Sequence, residues 1–168
     1  SDRTAEAVCK IEKMTDKPVD VVVMIQGDEP LVWPEMIDAA VAPIVKDSDI
    51  QVTNLIGILK SKEEQEDVNQ IKVVTDSNQF ALYFSRSPIP ARRDNSSAKV
   101  FKQVCIIGFQ RDFLAEYTRM SPTPLEVAES IDMLRILENG KRVKMVLTPF
   151  ETYSVDTKED LRKVESFM

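Results

Sequence analysis

The sequence contains no histidine. That absence excludes a histidine-based triad, a histidine general base and a histidine metal ligand. Metal binding in this chain must use oxygen ligands, which suit hard cations such as Mg²⁺. There are only two cysteines, Cys9 and Cys105, too few for a disulfide framework. Both sit in apolar periodic segments and read as small core residues. No apolar run approaches the ~20 residues that span a bilayer, and nothing reads as a signal peptide. The expected location is therefore cytoplasmic, with no membrane partner. Internal repeats, low-complexity tracts and linkers are also missing.

What remains is an ordinary globular mix of 168 residues, 43% hydrophobic and 30% charged, which fits one domain. The 22 Lys and Arg against 28 Asp and Glu give a net charge of -6. An acidic chain is a poor binder of nucleic acid, whose affinity comes from phosphate neutralisation. A small phosphorylated ligand, held by a few cations or a metal ion, stays compatible with this charge.

Apolar positions at Ala5, Val8, Cys9 and Ile11 predict an opening helix, ended by Lys17-Pro18. Residues 19–25 (VDVVVMI) predict a strand buried on both faces, as in parallel sheets. Gln26-Gly27-Asp28-Glu29-Pro30 follows as a loop at the strand's C-terminal end. Pro34 suits the first turn of the next helix. Strands are expected over 49–59, 71–75, 80–84, 100–109 and 143–147, with a short one at Ser154-Val155. Asp76-Ser77-Asn78-Gln79 is a good hairpin turn. Residues 85–99 form a long loop with two prolines and three arginines, Arg86, Arg92 and Arg93. One helix is expected over 124–139, with Gly140 at its C-terminal end, and another after Asp156 or Thr157. Helices alternate with strands, which predicts an α/β domain with a mostly parallel sheet.

In open α/β sheets, ligands bind beyond the carboxyl ends of the strands. Asp28 and Asp156 stand at two such ends and could together hold a Mg²⁺-nucleotide. Each also has a plain structural reading: Asp156 as a helix N-cap, Asp28 as an Asx-turn residue. The arginine loop offers forks for carboxylate or phosphate, or is a solvated rim. Glu126, Glu129 and Asp132 are spaced three apart near a helix start. They either compensate the helix dipole or accept hydrogen bonds from sugar hydroxyls.

Six segments in order resemble the CMP-Kdo synthetases (Kdo is 3-deoxy-manno-octulosonate). Ser1-Asp2-Arg3-Thr4-Ala5-Glu6 is similar to the end of S-G-[ST]-[DE]-R-x-A-E. Ile25 to Pro30 resembles V-Q-G-D-E-P, and Ile71-Lys72-Val73-Val74 resembles V-K-V-V. Phe80 to Pro90 resembles Y-A-L-Y-F-S-R-[SA]-x-I-P. Pro122 to Glu126, with Glu129 and Leu134-Arg135, is similar to P-S-P-L-E-x-x-E-x-L-E-Q-L-R. Ser154 to Leu161 is similar to G-V-D-T-P-E-D-L.

The resemblance implies a Rossmann-like three-layer sandwich of the nucleotide-diphospho-sugar transferase (glycosyltransferase-A-like) type, with a mixed, mostly parallel sheet. It implies a cytidylyltransferase that joins CMP from CTP to Kdo, or a close ulosonic acid such as an 8-amino variant, and releases pyrophosphate. Asp28 and Asp156 would hold Mg²⁺; Arg3 and Gln26 would contact the nucleotide; Arg86, Gln103, Glu129 and Asp132 would contact the sugar acid. A bacterial homodimer, paired through a subregion near 85–110, is implied as well.

The family pattern begins with a strand and a phosphate-cradling loop, A-R-x-x-S-x-R-L-P-x-K-P-L, then another βα unit. The present residues resemble the part that follows, the C-terminal two-thirds, and alone are expected not to catalyse. In the sugar pocket, Y-[KR]-H-[IL]-G-I-Y-x-[YF] is replaced by Phe101 to Phe109, so His becomes Gln103 and Tyr becomes Ile107. Asp132 and Met133 stand where Glu and Gln are usual. The alternatives are an acylneuraminate-type or other sugar nucleotidyltransferase, or a non-catalytic dimerising fragment of the same fold.

Overall fold

A computed structural model describes residues 1–91, 99–155 and 157–167. Helix α1 (Asp2–Thr15) turns only Val8 fully inward and ends at Asp16, in the left-handed region with φ 51°. Cys9 is exposed, contrary to the core placement expected for it. The cause is helical geometry: one residue beyond Val8 is 100° round the helix, off this narrow apolar stripe. Cys105 is half-buried.

The chain then forms β1 (Val21–Ile25), α2 (Pro34–Lys46), β2 (Val52–Leu59) and α3 (Lys62–Glu66). The hairpin β3 (Lys72–Thr75) and β4 (Ala81–Ser85) follows, then β5 (Val100–Gln110) and α4 (Arg111–Tyr117). Helices α5 (Pro124–Glu129) and α6 (Met133–Glu138) precede β6 (Lys144–Leu147) and α7 (Lys158–Glu165). Arg92 and Arg93 fall outside the described residues. No helix among those described is long and apolar enough to cross a membrane.

The six strands form one sheet in the order β4-β3-β5-β2-β6, with β1 also paired to β5. The sheet is mixed, but its ladders are mostly antiparallel. Strand β5 runs antiparallel to β1, β2 and β3, the β3–β4 hairpin is antiparallel too, and only β2 and β6 pair in parallel. The uninterrupted apolar runs report burial on both faces, which here comes from helices on either side, not from parallel pairing.

One face carries Val22, Ile56, Ile107 and Phe109 against Val8, Phe113, Tyr117 and Leu134 of α1, α4 and α6. The other carries Leu55, Val104 and Ile106 against Met36 and Ala40 of α2. The result is the three-layer sandwich expected. Gly108 sets the closeness of α2: a Cβ there would lie 2.5 Å from Thr53 Oγ1 and 2.9 Å from the Ala40 carbonyl. Thr53 Oγ1 itself donates to that carbonyl at 2.6 Å.

Two further expectations change. The helix foreseen over 124–139 is broken at Ser130, which adopts φ 55° and ends α5. Ser154 and Val155 form no strand. Instead the Val155 N–H donates to the Asp28 carbonyl at 2.9 Å.

Candidate active site

The site begins as a gap in the sheet. Strand β2 covers one edge of β5 along most of its length. The opposite edge is shared: β1 pairs with residues 106–110, and β3 with Phe101 and Lys102. Between them the two chains diverge. The Gln26 N–H still reaches the Cys105 carbonyl at 3.2 Å, and the Gln103 N–H reaches the Ile71 carbonyl at 2.8 Å. The Cys105 N–H points into the gap and donates to the Glu29 carboxylate at 3.1 Å. A register shift at Asn54/Leu55 makes the β2 pairing jump from Ile107 to Val104, skipping Cys105 and Ile106. Such bulges often flank functional sites because they re-aim side chains.

A cleft of about 460 Å³ opens at this gap, lined by Gln26, Asp28, Glu29, Arg86, Gln103 and Asp132 among others. Of the eight residues to which the resemblance assigns metal, nucleotide or sugar contacts, five therefore come together, Gln26, Asp28, Arg86, Gln103 and Asp132, and Glu126 lines the cleft beside them. Asp132 accepts from Ser1 Oγ at 3.2 Å, which brings the start of α1 to the cleft rim. Arg3 is exposed on the first turn of α1 and is not part of the cleft lining. Glu129 stands behind the wall, and Asp156 lies outside the described residues.

Asp28 has the least satisfied side chain in the cleft. Its Oδ1 is buried and has no hydrogen-bond partner among the described residues. A buried carboxylate oxygen without a donor is costly, so it calls for a cation or an unseen donor. The Asx-turn reading assigns no partner to that oxygen. The N-cap reading of Asp156 is also answered, because Thr157 caps α7. Its Oγ1 accepts from the Asp160 N–H at 3.2 Å, and the Thr157 N–H donates to Asp160 Oδ2 at 2.8 Å. The Asp28 carboxylate, an oxygen donor, suits a hard cation.

Glu129 and Arg86 hold one another. The Glu129 carboxylate accepts from the Arg86 N–H at 2.9 Å, Ser85 Oγ at 2.8 Å and Tyr83 Oη at 3.3 Å. Burial pushes the Glu129 carboxyl up, but these hydrogen bonds outweigh it and hold its pKa below the usual range. In return Arg86 Nε donates to the Glu129 carbonyl at 2.7 Å and Nη2 to the Ser130 carbonyl at 3.3 Å, capping α5 from outside. Nη1 donates to the Val68 carbonyl at 3.0 Å. Glu126 takes a two-pronged ion pair from Arg135. Those hydrogen bonds outweigh burial and lower the Glu126 carboxyl. The expected trio of stacked acids thus has separate partners: Glu126 pairs with Arg135 of α6 at the cleft edge, Glu129 bonds to the end of β4, and Asp132 lines the cleft.

Four residues had not been singled out. Glu29 fills the sheet gap. Lys72 is fully buried and donates to the Asp67, Gln70 and Arg86 carbonyls. Lys102 lies over Gly57 and donates to the Thr152 carbonyl at 2.9 Å, tying down the segment that leads to Val155. Asn54 is fully buried in the bulge, with Nδ2 donating to the Val104 carbonyl at 2.7 Å. For Lys72, Lys102 and Asn54 the advance signal was a polar or charged letter inside an apolar strand, whereas Glu29 lies in the loop after β1.

The α/β sandwich, with its mixed six-stranded sheet and a cleft where two strands part, is of the nucleotide-diphospho-sugar transferase type, as its likeness to the solved structure described below shows. Within that class, the Cytidylyltransferase family pattern matches residues 1–143. The chain belongs to this family. A 3-deoxy-manno-octulosonate cytidylyltransferase of Geobacter metallireducens is 43% identical over 175 residues, covering 98% of this chain and 66% of its own length. One of Fusobacterium nucleatum is 43% identical over 168 residues, covering 100% of this chain and 66% of its own length. The solved structure of CMP:2-keto-3-deoxy-manno-octonic acid synthetase complexed with CTP superimposes with a TM-score of 0.83 at 32% identity, over 95% of this chain and 66% of that one. The chain thus spans about two thirds of the length of these relatives.

Proposed function

We propose that the protein carrying this chain transfers CMP from CTP to 3-deoxy-manno-octulosonate or a close ulosonic acid. Pyrophosphate leaves as the anomeric hydroxyl attacks the α-phosphate in line. The observation that carries this reading is the buried Asp28 oxygen, just past β1, which has no hydrogen-bond partner among the described residues. Asp28 lines a polar cleft in a chain whose relatives bear the cytidylyltransferase name.

Asp28 and Asp156 would hold Mg²⁺, which supplies neutralisation of charge on the transferring phosphate. The Val155 N–H on the Asp28 carbonyl supports that pairing, since it joins the two segments through the residue next to Asp156. Arg3 and Gln26 are assigned to the nucleotide. Gln103 and Asp132 are assigned to the sugar hydroxyls, with Arg86 opposite the sugar acid and Glu129 holding Arg86 in place. No side-chain nucleophile is needed, because positioning and electrostatics carry such transfers. We assign a homodimer with a contact subregion near 85–110 and a cytoplasmic location.

The test is formation of the CMP-sugar by the full-length protein from CTP, Mg²⁺ and a panel of ulosonic acids including an acylneuraminate. Turnover should be fastest with Kdo or a close analogue, and Asp28→Asn should reduce it by about a thousandfold or more. Full turnover by that variant, or no product from any ulosonic acid, sinks the reading.

A further inference from the structure

The Asn54 side chain sits in the β2–β5 bulge among main-chain carbonyls. Its Nδ2 lies 2.7 Å from the Val104 oxygen, 3.2 Å from that of Leu55 and 3.3 Å from that of Ile106. Only the NH₂ end of an amide can face three acceptors, so this side chain has one admissible orientation. Asn54 Oδ1 must then face the other way, and Gln103 Nε2 donates to it at 2.6 Å. The constraint passes on. Gln103 cannot flip without setting oxygen against oxygen, so Gln103 Oε1 is the end left over. Among the described residues nothing donates to that oxygen, and Gln103 lines the cleft.

We propose that Asn54 fixes the polarity of Gln103, so that Gln103 meets the ligand as a hydrogen-bond acceptor and selects a sugar acid with a hydroxyl or ammonium donor there. This rests on the reading of the cleft as a ulosonic-acid site. Asn54 is a positioning residue: it touches no ligand and acts through Gln103. A site built to receive a donor discriminates against an analogue lacking one, because its acceptor loses water when the sugar binds and is then left unpaired. Substituting Asn54 would strand three carbonyls and risks misfolding, so the test goes through Gln103.

In the full-length protein, Gln103→Met should raise the KM for Kdo by about tenfold, the equivalent of one lost hydrogen bond, and leave the KM for CTP within about twofold. Gln103→Glu should do no better, since its carboxylate would oppose Asn54 Oδ1. Gln103→His should recover most of the loss, because a neutral ring can donate to Asn54 with one nitrogen and present a lone pair with the other. A second readout is independent of turnover. In isotope-labelled ligand-free protein, the Gln103 side-chain NH₂ should be protected from exchange and show a coupling across the hydrogen bond to Asn54. On sugar binding the Gln103 side-chain carbonyl carbon should shift while its NH₂ protons stay in place. Wild-type KM in Gln103→Glu, an unprotected Gln103 amide, or NH₂ protons that move on sugar binding overturns the inference. Failure of the wild-type protein to turn over any ulosonic acid would instead strike the proposed activity, leaving the amide measurement to decide the Asn54–Gln103 orientation.

Discussion

Arg86 and Glu129 hold each other reciprocally, each side chain bonded to the other's main chain. Arg86 Nε donates to the Glu129 carbonyl at 2.7 Å, and the Arg86 N–H donates to the Glu129 carboxylate at 2.9 Å. The clasp ties the end of β4 to the end of α5, two elements 43 residues apart in sequence. It forms one wall of the cleft, so its rigidity sets the position of Arg86. Glu129→Ala should cost about 2–3 kcal/mol, because three donors lose a charged acceptor. Its folded pKa is lowered, so its contribution is fully present above the ordinary carboxylate pKa and is lost as pH falls through the folded value. Urea titrations at a series of pH values should show wild type losing stability below about pH 5 more steeply than Glu129→Gln. Parallel curves would refute it.

Lys72 makes the opposite case. Its ammonium is fully buried, faces three carbonyls and has its pKa lowered, chiefly by burial. The unfolded chain then binds the proton more tightly than the folded one. The penalty is full below the folded pKa and shrinks as pH rises towards the unfolded value of 10.5. Raised tyrosine pKa values at Tyr83 and Tyr117 act in the other direction in alkaline solution. The check is therefore the difference between wild type and Lys72→Met. That variant should be less stable by about 2–4 kcal/mol at neutral pH, since three carbonyls lose their donor. The gap should widen towards pH 10. A gap that narrows instead would mean Lys72 is not held as a desolvated cation.

Gly108 faces the Ala40 carbonyl across the α2 interface, with Thr53 Oγ1 between. An added Cβ must push back either the helix backbone or the hydroxyl that satisfies it. Gly108→Ala should cost about 1–3 kcal/mol, read from a lowered denaturation midpoint. Gly27, with open space around its Cβ position, is the control. Gly27→Ala should leave the midpoint nearly in place, and equal losses at both would refute the packing argument.

Much of this was legible in the sequence where the signal is local. The apolar run ending at Ile25 placed Gln26 and Asp28 just past a strand end, where the cleft lies. The Asp76–Gln79 turn was readable from turn-forming residues, and Gln79 does take φ 61°. Strand direction was not legible, because apolar runs report burial and say nothing of which partner runs which way. Ser130 gave no local warning of a break: its left-handed turn is held by Arg86, from a distant strand. The gap in the sheet, the Glu29 carboxylate that fills it and the Asn54 bulge all arise from pairings 28 or more residues apart. Pattern along the chain does not carry such information.

The Asp28 carboxylate gives a prediction in which stability and function part company. Its buried Oδ1 has no partner among the described residues, so in the absence of ligand it costs folding free energy. Asp28→Asn keeps the shape and removes the charge. The variant should therefore unfold at a higher temperature than wild type in metal-free buffer, by the equivalent of about 1–2 kcal/mol. Adding Mg²⁺ with CTP should then reverse the order. Binding to the native state alone raises the wild-type midpoint, as linkage requires. The variant, without its anionic ligand, should show little rise. Thermal scans of both proteins with and without Mg²⁺–CTP provide the comparison. If Asp28→Asn is the less stable protein in metal-free buffer, the oxygen has a structural donor after all. If it still gains the full wild-type increment from Mg²⁺–CTP, the metal is held elsewhere.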